Sequence, residues 1–192
     1  MTRTLVTLRE AGLSDAPFLV DLWQDALRRA DPGDQAADLE LIIKTASQSP
    51  EQRIVIAEYD GEPVGAVFLR ATTLSPINLE PVVQVLSPHV VDCARRKGAG
   101  RALMEAAVAF ADELRVSHVA ATASMSRDGN RFLARLGFGA HGTLRVAPTQ
   151  MVRAKLAAQL PASQRIVADR SHLGQVLAAR RSMRRQEGAA RA

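Results

Sequence analysis

The sequence predicts one α/β domain carrying a helical C-terminal extension, and three observations predict it. At 192 residues the chain has room for one ordinary domain and an appendage but little for two. Segments of period-two alternation interleave with segments of helical spacing between residues 4 and 153, which is how strands and helices of a single α/β fold read in sequence. Charge divides the chain as well. Residues 1–156 hold 18 Lys+Arg against 18 Asp+Glu, whereas residues 157–192 hold seven Arg against Asp169 and Glu187, so the formal +5 belongs to the tail. The expected organisation is a neutral domain over 1–156 and a basic extension over 157–192, with the boundary near Pro161.

Thr4 to Arg9 alternates as a first strand. Ser14 reads as an N-cap, with Pro17 in the first turn, for a helix whose Phe18, Leu19, Leu22, Trp23, Ala26 and Leu27 recur at helical spacing through Ala30. Asp31-Pro32-Gly33-Asp34 breaks it, Leu39, Ile42 and Ile43 mark a second helix, and Ser49-Pro50 closes that one. Arg53 to Glu58 and Glu62 to Ala71 are β-rich and joined by Tyr59-Asp60-Gly61, a hairpin turn. Thr72 to Pro81 reads as irregular. Val82 to Val91 is strand-like but contains Pro88, which donates nothing to a ladder and implies a bulge or a splayed end. Gly98 opens a long helix with Leu103, Ala106, Ala107, Phe110 and Leu114 on one face. Val116 to Ala123 is a strand, Ser126 to Leu136 a helix ending at Gly137, and Ala140 to Arg153 a final strand pair.

Composition excludes several classes. Hydrophobic residues at 47% and charged residues at 23% are globular values. Aromatic residues are only 4%, which argues against proteins that stack bases on rows of aromatic rings. Cys93 is the single cysteine, so neither an internal disulfide nor a cysteine zinc site can form, and a reducing compartment is expected. Arg3, Arg9, Glu10 and Asp15 interrupt the first twenty residues, so the expectation is a cytoplasmic protein without a membrane span.

The chemistry-bearing segment is Arg95-Arg96-Lys97-Gly98-Ala99-Gly100-Arg101, between a hydrophobic strand and an amphipathic helix. Two glycines permit close backbone approach, the first free N–H groups of the helix point outward, and four cations surround them: a cradle for phosphate or pyrophosphate. It is not a Walker loop, because Lys97 precedes Gly98 and Arg101 follows Gly100, and it is not a dinucleotide fingerprint, because Leu103 stands where Gly or Ala is needed.

The segment resembles the acetyl-CoA-binding motif of the GCN5-related N-acetyltransferases, Arg/Gln-x-x-Gly-x-Gly/Ala before a long helix. Ser126-Arg127-Asp128-Gly129-Asn130-Arg131-Phe132-Leu133-Ala134-Arg135-Leu136-Gly137-Phe138 is similar to that family's next helix, which ends in Leu-Gly-Phe. The element order from Thr4 to about Leu156 agrees. The resemblance implies a mixed, splayed sheet flanked by helices, with the CoA arm between the strand ending near Val91 and the strand ending near Ser124. It implies acetyl-CoA as cosubstrate, main-chain groups of His89, Val90 and Val91 on the pantetheine arm, and Arg95, Arg96, Lys97, Gly98, Ala99, Gly100 and Arg101 on the pyrophosphate. Ser126, Asn130 and Leu133 share one helix face toward the cofactor.

The chain departs from the family pattern in places. Pro88 stands where an N–H often meets the thioester carbonyl, and Leu133 where a tyrosine acid often stands; the only tyrosine, Tyr59, lies in the hairpin. For removing the proton from an attacking amine the candidates are His89 and Glu80, with Ser126 as a further polar group; Gln84 stands where some members carry a glutamate, and an amide is no base. Against each stands a plain reading: a strand-packed histidine, a solvated turn glutamate, a helix-capping serine. By resemblance the acceptor pocket lies near residues 28–38, where Asp31, Asp34 and Asp38 would attract a cationic amine or merely cap and solvate a turn.

In the tail, Ser171 is a cap for a terminal helix with Leu173, Val176 and Leu177 on one side and Arg180, Arg181, Arg184 and Arg185 on the other. Docking on the chain's own domain or closing a homodimer is the preferred reading. Binding RNA, a ribosomal surface or an acidic protein is the alternative, and a membrane surface lacks large apolar anchors. The expected function is acetyl transfer from acetyl-CoA to a primary amine by direct attack, without metal. The competing expectation is a CoA-binding module weak in catalysis that works through its basic tail.

Overall fold

A computed structural model of the chain describes residues 6–122, 126–142 and 145–159. These separate into two units, residues 1–139 and residues 140–192. The expected terminal helix and its Arg and Leu faces lie outside the described residues.

The first unit is built on a five-stranded sheet in the order β1 (Val6–Glu10), β2 (Gln52–Tyr59), β3 (Glu62–Ser75), β4 (Asn78–Val90) and β5 (His118–Ala121). Neighbours run antiparallel except β4 and β5, which are parallel. A parallel pair needs a crossover, supplied by α3 (Ala99–Glu113). The sheet is thus mixed and flanked by helices, as the sequence implied.

Both faces are covered. Val55, Val67, Leu69, Val83 and Val85 pack with Leu103, Ala107 and Phe110 of α3. On the other face Ile54, Ile56 and Ala66 pack with α1 (Ala16–Leu22) and α2 (Pro32–Ser47) through Leu19, Leu22, Leu39 and Ile43. Burial on both sides is why β2 reads as a nearly continuous apolar run rather than a clean alternation. The β2–β3 turn has positive φ at Asp60 and Gly61, 57° and 82°, the hairpin geometry that Asp-Gly favours.

Four expectations need correction. α1 ends at Leu22 and not near Ala30, because Trp23 leaves the helical region (φ −109°, ψ 17°) and turns its indole into the sheet. Asp31-Pro32 starts α2 rather than standing as a loop, with Pro32 in the first turn, where its missing N–H costs nothing. Residues 72–81 are not irregular: β3 and β4 run on as one long hairpin, and Ser75 Oγ accepts from Asn78 N–H (3.0 Å) at its turn. No strand forms among the described residues of 140–153. Instead α5 (Thr149–Gln159) begins there, its Met151 and Val152 N–H groups donating to Pro148 O at 2.9 and 3.1 Å. Gln150, Met151, Ala154, Lys155 and Leu156 are strong helix formers, and they outweigh the β-branched Thr149 and Val152 among them. α5 also runs through the 156/157 boundary suggested by charge.

α4 (Arg127–Arg135) follows β5, and Ser126 caps it as its sequence predicts, accepting from Gly129 N–H at 3.0 Å.

Candidate functional site

The site is organised by an irregularity in β4. Phe68 pairs with Leu86 and Ala66 with His89, so Ser87 and Pro88 together oppose Val67, and Ser87 takes φ 47°. This is the bulge that Pro88 implied, since a residue without an N–H is accommodated where the ladder is already broken. Trp23 Nε1–H donates to Ser87 O (2.8 Å) and pins the bulge from α1's end. β5 follows β4 only from Val82 to Val85, with Thr122 N–H on Val85 O at 3.3 Å. From Leu86 to Val90, β4 has no strand partner on that side among the described residues. The sheet is splayed there.

Within the splay, orientation alternates residue by residue. Val91 N–H donates to Val64 O (2.9 Å), which makes Val90 opposite Gly65 a non-hydrogen-bonded pair. Val90 therefore presents its N–H and C=O to the gap, while the main-chain groups of His89 face β3. Gly65 makes this close approach feasible: a Cβ there would lie 2.7 Å from His89 O and 3.0 Å from Val90 Cγ2. The sequence held no sign of that role beyond a glycine inside a strand.

β4 leads through a 3-10 turn (Asp92–Ala94) to the cradle. Gly98 is the N-cap of α3 with φ 98°, a conformation that favours glycine, and no side chain caps the helix. The first intrahelical bond is Ala102 N–H to Gly98 O (3.0 Å), which leaves the N–H groups of Ala99, Gly100 and Arg101 without an acceptor in the described chain. A Cβ on Gly100 would meet Phe132 of α4 and Val90 at 3.9 Å, so the cradle is walled by both. Arg95 pairs with Asp92 and Arg101 with Glu105, each at 2.7 Å on the surface, where such pairs are worth about 0–1 kcal/mol and yield readily to an anion. Lys97 Nζ stands 4.4 Å from the Tyr59 ring centroid. Tyr59, far away in sequence, is thus a neighbour of the cradle.

The remaining candidates are dispersed. His89 is exposed, and its cross-strand partner Ala66 belongs to the core beneath α1 and α2, so its imidazole stands on that face of the sheet. Glu80 is not brought to the gap: it lies at the opposite end of β4, its Oε1 3.1 Å from His118 Nδ1. Ser126 and Asn130 are exposed on α4, but Leu133 is 8% exposed and packs into the core under α3 rather than offering itself to a cofactor. Cys93 is exposed in the 3-10 turn.

On the α1/α2 face a cleft of about 570 Å³ opens beside the bulge, reaching Leu86 and Ser87 and walled by Trp23, Leu27, Leu39 and Ile42. No acidic residue lines it. The expected carboxylates are elsewhere or engaged: Asp38 is held by Arg28 through Nε (2.5 Å) and Nη2 (3.1 Å), a contact that lowers the Asp38 pKa.

The model of the acetyltransferase (GNAT) family matches residues 17–138, which contain the cradle, the bulge and the cleft. The chain belongs to the GNAT acetyltransferase family. Acetyl-CoA is its cosubstrate, and the uncapped N-terminus of α3 with its surrounding cations fits the pyrophosphate of that molecule. A search of curated proteins finds no match. Among solved structures the chain is similar to a transcriptional regulator from Bacillus halodurans C-125 (TM-score 0.62, 22% identity, 75% of this chain and 100% of that one). It is also similar to a ribosomal-protein-alanine N-acetyltransferase from Brucella melitensis biovar Abortus 2308 (0.56, 21%, 75% and 99%). A third is the aminoglycoside N-acetyltransferase AAC(6')-Iy in complex with CoA (0.61, 15%, 76% and 95%). At these identities the likeness is one of fold. No helix among the described residues of this acetyltransferase is long and apolar enough to cross a membrane.

Proposed function

We propose that the chain is an N-acetyltransferase that transfers the acetyl group of acetyl-CoA to a primary amine by direct attack. The observation that carries the reading is the gap beside Leu86–Val90, which has the uncapped α3 N-terminus on one face of the sheet and the apolar cleft on the other. The N–H groups of Ala99, Gly100 and Arg101 and the side chains of Arg95, Arg96, Lys97 and Arg101 would hold the pyrophosphate. The N–H and C=O of Val90 would hold the pantetheine arm, with Ser126 and Asn130 on the α4 side. Bound acetyl-CoA supplies a thioester whose carbonyl carbon an unprotonated amine attacks. Two structural neighbours are N-acetyltransferases by name, which supports an amine acceptor.

In this reading the cleft positions the amine against the bulge, which is where proximity counts. His89, two residues past Ser87 on the cleft face, is the group assigned to accept the amine's proton. No tyrosine acid is needed, because a thiol is acidic enough, pKa about 8.5, for the sulfur to depart as thiolate. Direct attack requires both substrates together. Thiol release from acetyl-CoA should therefore depend on an added amine, with no burst in its absence. Tight acetyl-CoA binding without thiol release on any amine of a broad panel would overturn the reading.

A further inference from the structure

Resting on the transferase reading, we infer the acceptor's chemical class: a primary amine on an apolar carbon skeleton that also bears a carboxylate, held by Arg70. The cleft beside the bulge is lined chiefly by apolar side chains, Trp23, Leu39, Ile42, Phe68 and Leu86 among them, and Arg70 is the only titratable residue in the lining. Arg70 is exposed, and its side chain makes no ion pair or hydrogen bond among the described residues. The neighbouring arginines differ in this respect: Arg28 is paired with Asp38, and Arg53 with Glu113 and Glu10.

The sheet explains why Arg70 is alone. Its cross-strand partners are Gln52 on β2 and Gln84 on β4, both neutral amides. Gln84 is also where the family resemblance led one to look for a glutamate. The site therefore has a cation in place of the carboxylate that a polyamine or other polycationic acceptor would need, and like charge repels such acceptors. A guanidinium offers a planar pair of donors matched to a carboxylate.

Position along the strand adds direction. Gln84 lies three residues before Ser87, about 10 Å along β4, so the acceptor's carboxylate end points to Arg70 and its amine end to the bulge, with the apolar skeleton between. In the transfer, the amine nitrogen bonds to the acetyl carbon, the carbon–sulfur bond breaks, the sulfur leaves with the electron pair, and the proton lost by nitrogen restores the thiol.

The test compares paired compounds: straight-chain ω-amino carboxylates, each against its own carboxamide, with a polyamine as a third arm. Thiol release gives kcat/KM for each, and calorimetry on the CoA-loaded protein gives affinity independently of turnover. The acid should exceed its amide by at least tenfold in both. Arg70→Gln should collapse that ratio toward one and Arg70→Lys should restore part of it, with melting temperature unchanged because the residue is exposed. Equal acid and amide, a preference for the polyamine, or a ratio that Arg70→Gln leaves intact overturns the inference while leaving the transferase reading in place. Acid-selective binding that depends on Arg70 but without thiol release from any amine upholds the recognition and overturns the transferase reading. Absence of binding by any carboxylate overturns the inference.

Discussion

A methyl group at Gly65 would stand 2.7 Å from His89 O, closer than real Cβ contacts allow, and the neighbour is backbone rather than a flexible chain end. Gly65→Ala should therefore displace the end of β4, costing about 1–3 kcal/mol in denaturant unfolding and weakening acetyl-CoA binding at a site that the residue never touches. Gly100 is different. Its Cβ would make ordinary contacts at 3.9 Å, so Gly100→Ala should be mild, whereas Gly100→Glu brings a carboxylate to the pyrophosphate. At about 4 kcal/mol for like charges 4 Å apart near a protein surface, acetyl-CoA affinity should fall by at least about 100-fold in titration calorimetry with the fold retained. Asp15 is a structural counterpart. Its carboxylate takes two 2.7 Å bonds from Arg9 and one from Gly12 N–H, and the Arg9 contact outweighs burial to lower its pKa below 3.8. A depressed carboxyl stabilises the fold above the unfolded value, and that stability is lost as pH falls through the folded one. Because Arg9 is partly solvated, Asp15→Asn should cost only about 1 kcal/mol at neutral pH, and the difference between variant and parent should shrink in melts below pH 3.8.

Elements place these residues where single positions could not. α4 presents a cap, an exposed Asn130 and a buried Leu133 in successive turns, and the last of these belongs to the core, not the cofactor face. Leu133→Tyr should therefore overpack, lowering the denaturation midpoint by the equivalent of about 1–3 kcal/mol, and should not raise kcat; a faster enzyme of unchanged stability would show that the position does face the thioester. The bulge depends on an element remote in sequence, the turn at the end of α1. Trp23→Phe keeps most of the apolar contact but removes the 2.8 Å bond to Ser87 O. About 1 kcal/mol of stability should be lost. In steady-state assays kcat/KM for the amine should drop about tenfold, 1.36 kcal/mol of transition-state stabilisation, with acetyl-CoA affinity nearly unchanged.

At the scale of the molecule, charge and catalytic machinery occupy different parts of the chain. The cradle, bulge and cleft all fall within residues 1–139, whereas the formal +5 resides in the seven arginines beyond residue 156. Deleting residues 160–192 should bring the formal charge to zero and abolish salt-sensitive retention on heparin, while calorimetry finds acetyl-CoA affinity preserved; a collapse of that affinity would tie the tail to the cofactor. Local signals sufficed for the glycine-opened start of α3 and the cations around it, because glycine spacing, flanking cations and the amphipathic period of α3 lie within about twenty consecutive residues. They also sufficed for the bulge at Pro88, since a missing N–H is a property of the residue itself, and for the Asp60-Gly61 turn and the Ser126 cap. What depended on distant partners was not legible. Trp23 ends α1 because Ser87 accepts its indole N–H, Tyr59 meets Lys97 because the β2–β3 hairpin and the α3 N-terminus share one end of the sheet, and Arg70 stands alone because register places neutral amides on both sides of it. The sequence by itself determined the glycine-opened start of α3 with its flanking cations, and the family; strand register and the packing of helices on both faces decided which side chains meet in the cleft, because those contacts join residues that no local spacing relates.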